Sequence, residues 1–129
     1  MADIKLGAIK QIALSVKDLD VSVDFYEKTL GLPLLFKADP GMAFFDIAGI
    51  RLMLSQAEEV PLGGPYLYFS ADDIEATYAA LTKAGTDGIR APLMTHKTDT
   101  SELWLAFFKD PDGHTLALME EKALAPGKK

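Results

Sequence analysis

The feature that most constrains this chain is that it carries the same unit twice. Ala13-Leu14-Ser15-Val16-Lys17-Asp18-Leu19-Asp20-Val21-Ser22 reads against Tyr68-Phe69-Ser70-Ala71-Asp72-Asp73-Ile74-Glu75-Ala76-Thr77 at a constant offset of 55. Each copy is a short apolar strand, an acidic turn, then a helical stretch that stops at a glycine, Gly31 or Gly85. Phe44-Phe45 answers Phe107-Phe108, and Gly49-Ile50-Arg51-Leu52-Met53-Leu54 answers Gly113-His114-Thr115-Leu116-Ala117-Leu118, at an offset of 63 to 64. A duplicated unit predicts a pseudo-symmetric molecule and directs the search for function to the groove between the copies.

Periodicity fills in each copy. Ile9 to Val16 reads as a strand. Asp18 or Asp20 is placed to cap the following helix by accepting from its free amides. Val21, Phe25 and Leu30, with Val23 and Tyr26 beside them, give that helix an apolar side, and Gly31 suits a left-handed stop. Strand-like runs follow at Leu34–Lys37, Met42–Ile47 and Arg51–Ser55, with turns at Asp39-Pro40-Gly41 and Ala48-Gly49. In the second copy Tyr66–Ala71 is a strand and Asp72 or Asp73 caps a helix to about Ala84. Strands near Ile89–Arg90, Glu102–Lys109 and Thr115–Glu121 complete it, with Asp110-Pro111-Asp112-Gly113 as a tight hairpin turn. Residues 1–129 therefore make one domain: module one at about 9–57, a linker at 58–65, module two at about 66–121, and a frayed tail at 122–129.

The predicted class is α+β, two βαβββ modules whose sheets form a cup-shaped half-barrel with the helices on its outer face. Alternation assigns the faces. Leu52 and Leu54 oppose Arg51, Met53 and Ser55. Leu116 and Leu118 oppose Ala117 and Met119. Ile12 and Leu14 oppose Gln11, and Leu67 and Phe69 oppose Tyr66 and Tyr68. The aliphatic sets belong under the helices. The mixed sets belong on the concave side, so its wall is expected to be Gln11, Arg51, Met53, Tyr66, Tyr68, Ala117 and Met119.

Composition narrows the function. An apolar fraction of 49% with 25% charged residues is that of an ordinary globular chain. The absence of cysteine removes disulfides, thiolate metal sites and cysteine nucleophiles from consideration. No apolar run reaches the roughly 18 residues of a membrane span, and the first residues lack a signal-peptide pattern. The expectation is a cytoplasmic protein that engages neither membrane nor nucleic acid. The net charge of −6 points the same way, because phosphate backbones demand clustered Lys and Arg. It also favours a cationic ligand over an anionic one.

At this point the chain resembles the glyoxalase/bleomycin-resistance/extradiol-dioxygenase superfamily, the vicinal oxygen chelate fold. The matching stretches are Ile12 to Leu19, Phe25-Tyr26-Glu27-Lys28-Thr29-Leu30-Gly31-Leu32, and Phe107-Phe108-Lys109-Asp110-Pro111-Asp112-Gly113-His114, and the resemblance spans Ile9 to Glu121. It implies a fold and leaves the activity open, since such proteins include isomerases, dioxygenases, transferases and non-catalytic drug binders. It also implies four side-chain positions for one divalent metal, two per module. Carried onto this sequence they fall on Gln11, Met53, Tyr66 and Ala117. A thioether, a methyl group and a neutral phenol are not the donors such a metal wants, so no cofactor is expected.

Three readings of function follow. The first is a metal-free binder, like the bleomycin-resistance branch, that takes a small aromatic or amphipathic molecule in a cleft. Tyr66, Tyr68 and Trp104 would form its aromatic wall, and Arg51 would be paired with Asp46 or Glu120 or used for an anionic group. The second is a glyoxalase-like isomerase or lyase acting on a small oxygenated substrate. It would use Gln11 with His96, which is placed on a flexible rim loop before the Trp104 strand, either with a metal held differently or without metal. The third is a regulatory or structural dimer whose cup is filled by side chains. A homodimer is expected in any case, with the Leu62-Gly63-Gly64-Pro65 linker permitting module exchange. His114 is read as a solvated hairpin residue.

Overall fold

In the computed structural model, which describes residues 4–124, the chain divides into two compact units between Pro61 and Leu62, inside the expected linker. In the first unit, strand β1 (Gln11–Val16) leads into helix α1 (Leu19–Asp24) and a π-helical turn at Phe25–Thr29. Strands β2 (Leu34–Ala38), β3 (Met42–Ile47) and β4 (Ile50–Gln56) follow. The second unit holds β5 (Leu67–Ser70), α2 (Ile74–Lys83), β6 (Asp87–Lys97), β7 (Ser101–Lys109) and β8 (Thr115–Ala123). Each sheet has four strands in the same order, β1-β4-β3-β2 and β5-β8-β7-β6. In each, the first strand pairs in parallel with the last and the remaining pairs are antiparallel. This is the α+β, two-module architecture expected from the repeat.

Both helices start alike. Asp18 Oδ1 accepts from the Val21 amide at 3.2 Å, and Asp73 Oδ1 accepts from the Ala76 amide at 3.1 Å. The neighbouring candidates Asp20 and Asp72 are not these caps. A second acceptor reaches each helix from the last strand of its own sheet. Gln56 Oε1 takes the Leu19 amide at 2.9 Å, and Glu120 Oε1 takes the Ile74 amide at 2.8 Å. Each fills one of the four amides that a helix start leaves unpaired. Gly31 and Gly85 then end the helical stretches at φ +74° and +85°, conformations that cost other L residues steric energy.

Gln56 and Glu120 also show which sheet face lies under the helix, because alternation puts them with Leu52 and Leu54, or with Leu116 and Leu118. All four leucines are buried. The first core gathers Val16, Val23, Tyr26, Phe45, Leu52 and Leu54, and the second gathers Ile74, Leu81, Ala106, Phe108, Leu116 and Leu118. Helix α1 buries Ser22 and Val23 and the π turn buries Tyr26, whereas Val21, expected on the apolar side, is half exposed. The buried set follows i, i+1, i+4 spacing from the capped end, and the π turn, closed by the Leu30 amide on the Phe25 carbonyl at 2.9 Å, continues it.

Two expectations for the second unit need correction. Strand β6 is eleven residues long, not a two-residue strand at Ile89–Arg90, and it absorbs the stretch containing His96, expected as a rim loop. Pro92 and the polar residues argued against a strand, but β6 is the sheet's edge. There a missing amide is tolerated, and register shifts at three places absorb the irregularity. Strand β8 runs to Ala123, past the expected end at Glu121, because Ser101 at the start of β7 pairs with Ala123. Residues 125–129 of the expected frayed tail lie outside the described residues. Among those described, no helix is long and apolar enough to cross a membrane.

Candidate functional site

The faces of the two sheets turned away from the helices carry the candidate residues. In the first unit Gln11 on β1 and Arg51 on β4 are register partners, with Met53 two residues further along the same face. Gln11 Nε2 lies 4.0 Å from Met53 Sδ. On β3, Asp46 stands opposite Arg51 and Phe44 opposite Met53, and Phe36 on β2 stands opposite Phe44. The Phe36 and Phe44 rings stack with centroids 4.6 Å apart and planes 25° apart. The Arg51 guanidinium sits 5.7 Å from the Phe44 centroid, a cation–π arrangement. It makes no ion pair among the described residues. Asp46, expected as a possible partner, instead accepts the Gly49 amide at 3.1 Å and holds the β3–β4 turn. Lys10, Gln11, Leu35, Asp46, Gly49 and Arg51 line a cleft of about 360 Å³.

The second unit's open face is aromatic. Tyr68 on β5 is the register neighbour of Ala117 on β8, whose other neighbour is Phe107 on β7. Strands on either side of a third lie about 9–10 Å apart, yet the Tyr68 and Phe107 centroids are 6.1 Å apart. The rings lean together over Ala117, which is fully buried, and its methyl group leaves room for that approach. Tyr66 meets Phe107 at the same centroid distance, 6.1 Å, also edge-on. Tyr66 and Tyr68 remain 51% and 49% exposed, and Met119 is exposed opposite Leu105.

Trp104 does not belong to this wall. It is the register partner of Glu120, so it lies on the helix-covered face, one residue out of phase with Leu105 and Phe107. There its Nε1 donates to Glu102 Oε1 at 3.1 Å, and Lys122 Nζ lies 4.3 Å from its ring centroid. Lys122 also bonds both oxygens of Glu75, at 2.9 and 2.8 Å. That bond holds the Glu75 carboxyl below its usual range and raises the Lys122 ammonium. Glu120, the other partner considered for Arg51, is occupied by the α2 amide.

His96 stands exposed on the open face of edge strand β6, opposite Leu103. It makes no hydrogen bond to an acid or a base among the described residues. His114 lies at the β7–β8 turn, where Asp110 Oδ1 takes its backbone amide at 2.9 Å and that of Asp112 at 3.0 Å.

Phe107, Phe44 and Phe36 are the residues that the sequence reading missed. The signal was present in the repeated doublets Phe44-Phe45 and Phe107-Phe108. In a strand, a doublet sends one ring to each face, so each copy supplies one phenylalanine to the core and one to the open side.

The donor chemistry on these faces is poor for a divalent ion. Gln11 and Met53 in the first unit, and Tyr66 and Ala117 in the second, offer an amide, a thioether, a phenol and no donor at all. No group of three or more His, Cys, Asp or Glu placed to hold a metal is found among the described residues. These residues do not fit the divalent ion of the oxygen-chelating enzymes.

The family model of the Glyoxalase/Bleomycin resistance protein/Dioxygenase superfamily matches residues 8–118. The chain is 31% identical to a probable lactoylglutathione lyase of Vibrio parahaemolyticus, over 94% of this chain and 96% of that protein. It is 30% identical to the metallothiol transferase FosB of Lysinibacillus sphaericus, over 83% of this chain and 77% of that one. Among solved structures, a Sphaerobacter thermophilus member of the superfamily is similar at TM-score 0.72 and 27% identity, covering 90% of this chain and 98% of that one. With two βαβββ units, matched strand orders and a family match over most of its length, the chain belongs to the glyoxalase/bleomycin resistance protein/dioxygenase superfamily.

Proposed function

We propose that this protein is a metal-independent binder of a small aromatic or amphipathic molecule, which it takes on the open faces of its sheets. The observation that carries this reading is the closure of Tyr68 and Phe107 over Ala117. A position that would present a metal ligand in the oxygen-chelating enzymes is here a methyl group beneath two aromatic rings. Tyr66, Tyr68, Phe107 and Met119 together form an aromatic and thioether surface suited to a planar or flexible apolar partner. Native mass spectrometry of the untagged protein, with metal analysis of the same sample, tests the proposal. It is expected to give chains without stoichiometric metal, carrying a small organic molecule or accepting one from an aromatic panel. One divalent ion per chain would overturn it.

A second reading is a glyoxalase-like isomerase or lyase acting on a small oxygenated substrate. The observation favouring it is the near end-to-end match to a probable lactoylglutathione lyase. In that case His96 and Gln11 are the residues to test, and turnover unchanged in H96A and Q11A would remove them from the chemistry. In either case we infer a cytoplasmic homodimer. Support for the dimer comes from β6, an eleven-residue edge strand exposed along nearly its whole length, with Ile89, Leu93 and Met94 among its exposed side chains. Sedimentation is expected to show a species of twice 14.0 kDa. A monomer alone at all concentrations would refute it.

A further inference from the structure

The net charge of the chain favours a cationic ligand, but the cleft in the first unit has the opposite local chemistry. Its lining holds two cations, Lys10 and Arg51, against one carboxylate, Asp46. That carboxylate is engaged by the Gly49 amide. The Arg51 guanidinium is turned onto the Phe44 ring and makes no ion pair among the described residues. A guanidinium over a ring keeps its outward N–H groups available for a planar acceptor. The Lys10 carbonyl accepts the Arg51 amide at 2.9 Å, which fixes the backbones of the two cations side by side. Gln11 adds an amide donor at the same mouth. The apolar side of the cleft is Leu35, and Phe36, stacked on Phe44, stands next to it. Both are roughly half exposed.

We propose that this cleft is a carboxylate-binding subsite. Arg51, assisted by Lys10 and Gln11, takes the carboxylate of a ligand whose apolar body lies against Leu35 and Phe36. The inference rests on the small-molecule-binder reading and deepens it by naming the ligand class, an aromatic monocarboxylate. Loss of a charge-assisted bond from an arginine is expected to weaken such a ligand roughly 10-fold.

The test compares 2-naphthoate with the neutral 2-naphthamide by isothermal titration of the full chain, using wild type, R51Q and D46N. Wild type is expected to prefer the carboxylate. R51Q lowers naphthoate affinity roughly 10-fold, and D46N raises it about 2–5-fold by removing the like charge while keeping an acceptor for Gly49. Naphthamide affinity changes less than naphthoate affinity in both variants, because a neutral amide presents no charge for either side chain to act on. Equal binding of the two probes, unmoved by R51Q, would overturn the carboxylate subsite and leave the binder reading standing. Binding of neither probe by wild type would overturn both.

Discussion

The two units are built on the same plan but differ where nothing in the fold constrains them. Three aligned positions show it. Across the open face of the first sheet run Ala13, Met53 and Phe44, and their counterparts in the second are Tyr68, Ala117 and Phe107. One unit puts its bulk in the middle strand and a methyl group on the flank. The other puts a methyl group in the middle, and two rings close over it. Arg51, which gives the first face its charge, is replaced by Thr115 in the second. Under the helices the pattern reverses. Phe45 and Phe108, Leu52 and Leu116, and the strand-to-helix acceptors Gln56 and Glu120 occupy the same places in both. The duplicated residues build the units, and the diverged ones lie on the open faces.

The equivalence of the cores can be tested hardest at Phe45 and Phe108, both essentially without exposure. Truncating either to Ala is expected to cost about 3–5 kcal/mol, the range for a buried phenylalanine that leaves a cavity. Urea unfolding of the two variants checks this. A cost below about 1 kcal/mol for one of them would mean that its site collapses freely, and the units would then not be energetic equivalents.

Much of this was legible in the sequence. The repeat offsets, the Asp–Gly punctuation of both helices and the strict alternation in β4 and β8 fix the sheet faces, and each is local. What could not be read locally was decided by pairing. Trp104 lies in an apolar run, Leu103 to Phe108, where periodicity cannot assign a face. Its side is set by register with Glu120. His96 follows a proline in a polar stretch and looked like a loop, yet the edge position of β6 makes it strand. The pairing of Arg51 with Phe44 rather than Asp46 depends on side-chain geometry, since alternation places both on the face of Arg51.

The strand-to-helix bonds allow a finer comparison. Q56A and E120A each remove one acceptor from a helix start and are expected to cost about 1 kcal/mol by thermal or urea unfolding. Exchanging the chemistry sharpens it. Q56E places a carboxylate at the α1 start and should gain about 0.3–1 kcal/mol, because negative charge is favourable there. If Q56E destabilises, the two acceptors are not interchangeable. The β3–β4 turn offers a similar contrast. Ala48 has φ +48°, the one non-glycine residue with positive φ among those described, whereas its counterpart in the β7–β8 turn, Asp112, does not adopt positive φ. Relieving it with A48N is expected to gain about 0.5–1 kcal/mol, measurable as a raised melting temperature.

The smallest effect separates the units by pH. Lys122 and Glu75 form an ion pair in the second unit, while the first has Asp20 and Glu58 at the aligned positions and so cannot make it. The Glu75 carboxyl is held below its ordinary value, chiefly by the hydrogen bond from Lys122. Its contribution to stability is therefore present above the ordinary glutamate value and lost as pH falls through the lowered one. Lys122 is raised, chiefly by the same bond, so its contribution holds below the ordinary lysine value and fades as pH rises through the raised one. The difference in melting temperature between wild type and E75Q should be largest near neutrality and shrink towards pH 3, and added salt should reduce it. A difference that stays constant from neutrality to pH 3 would show that Glu75 acts through helix packing and not through its charge.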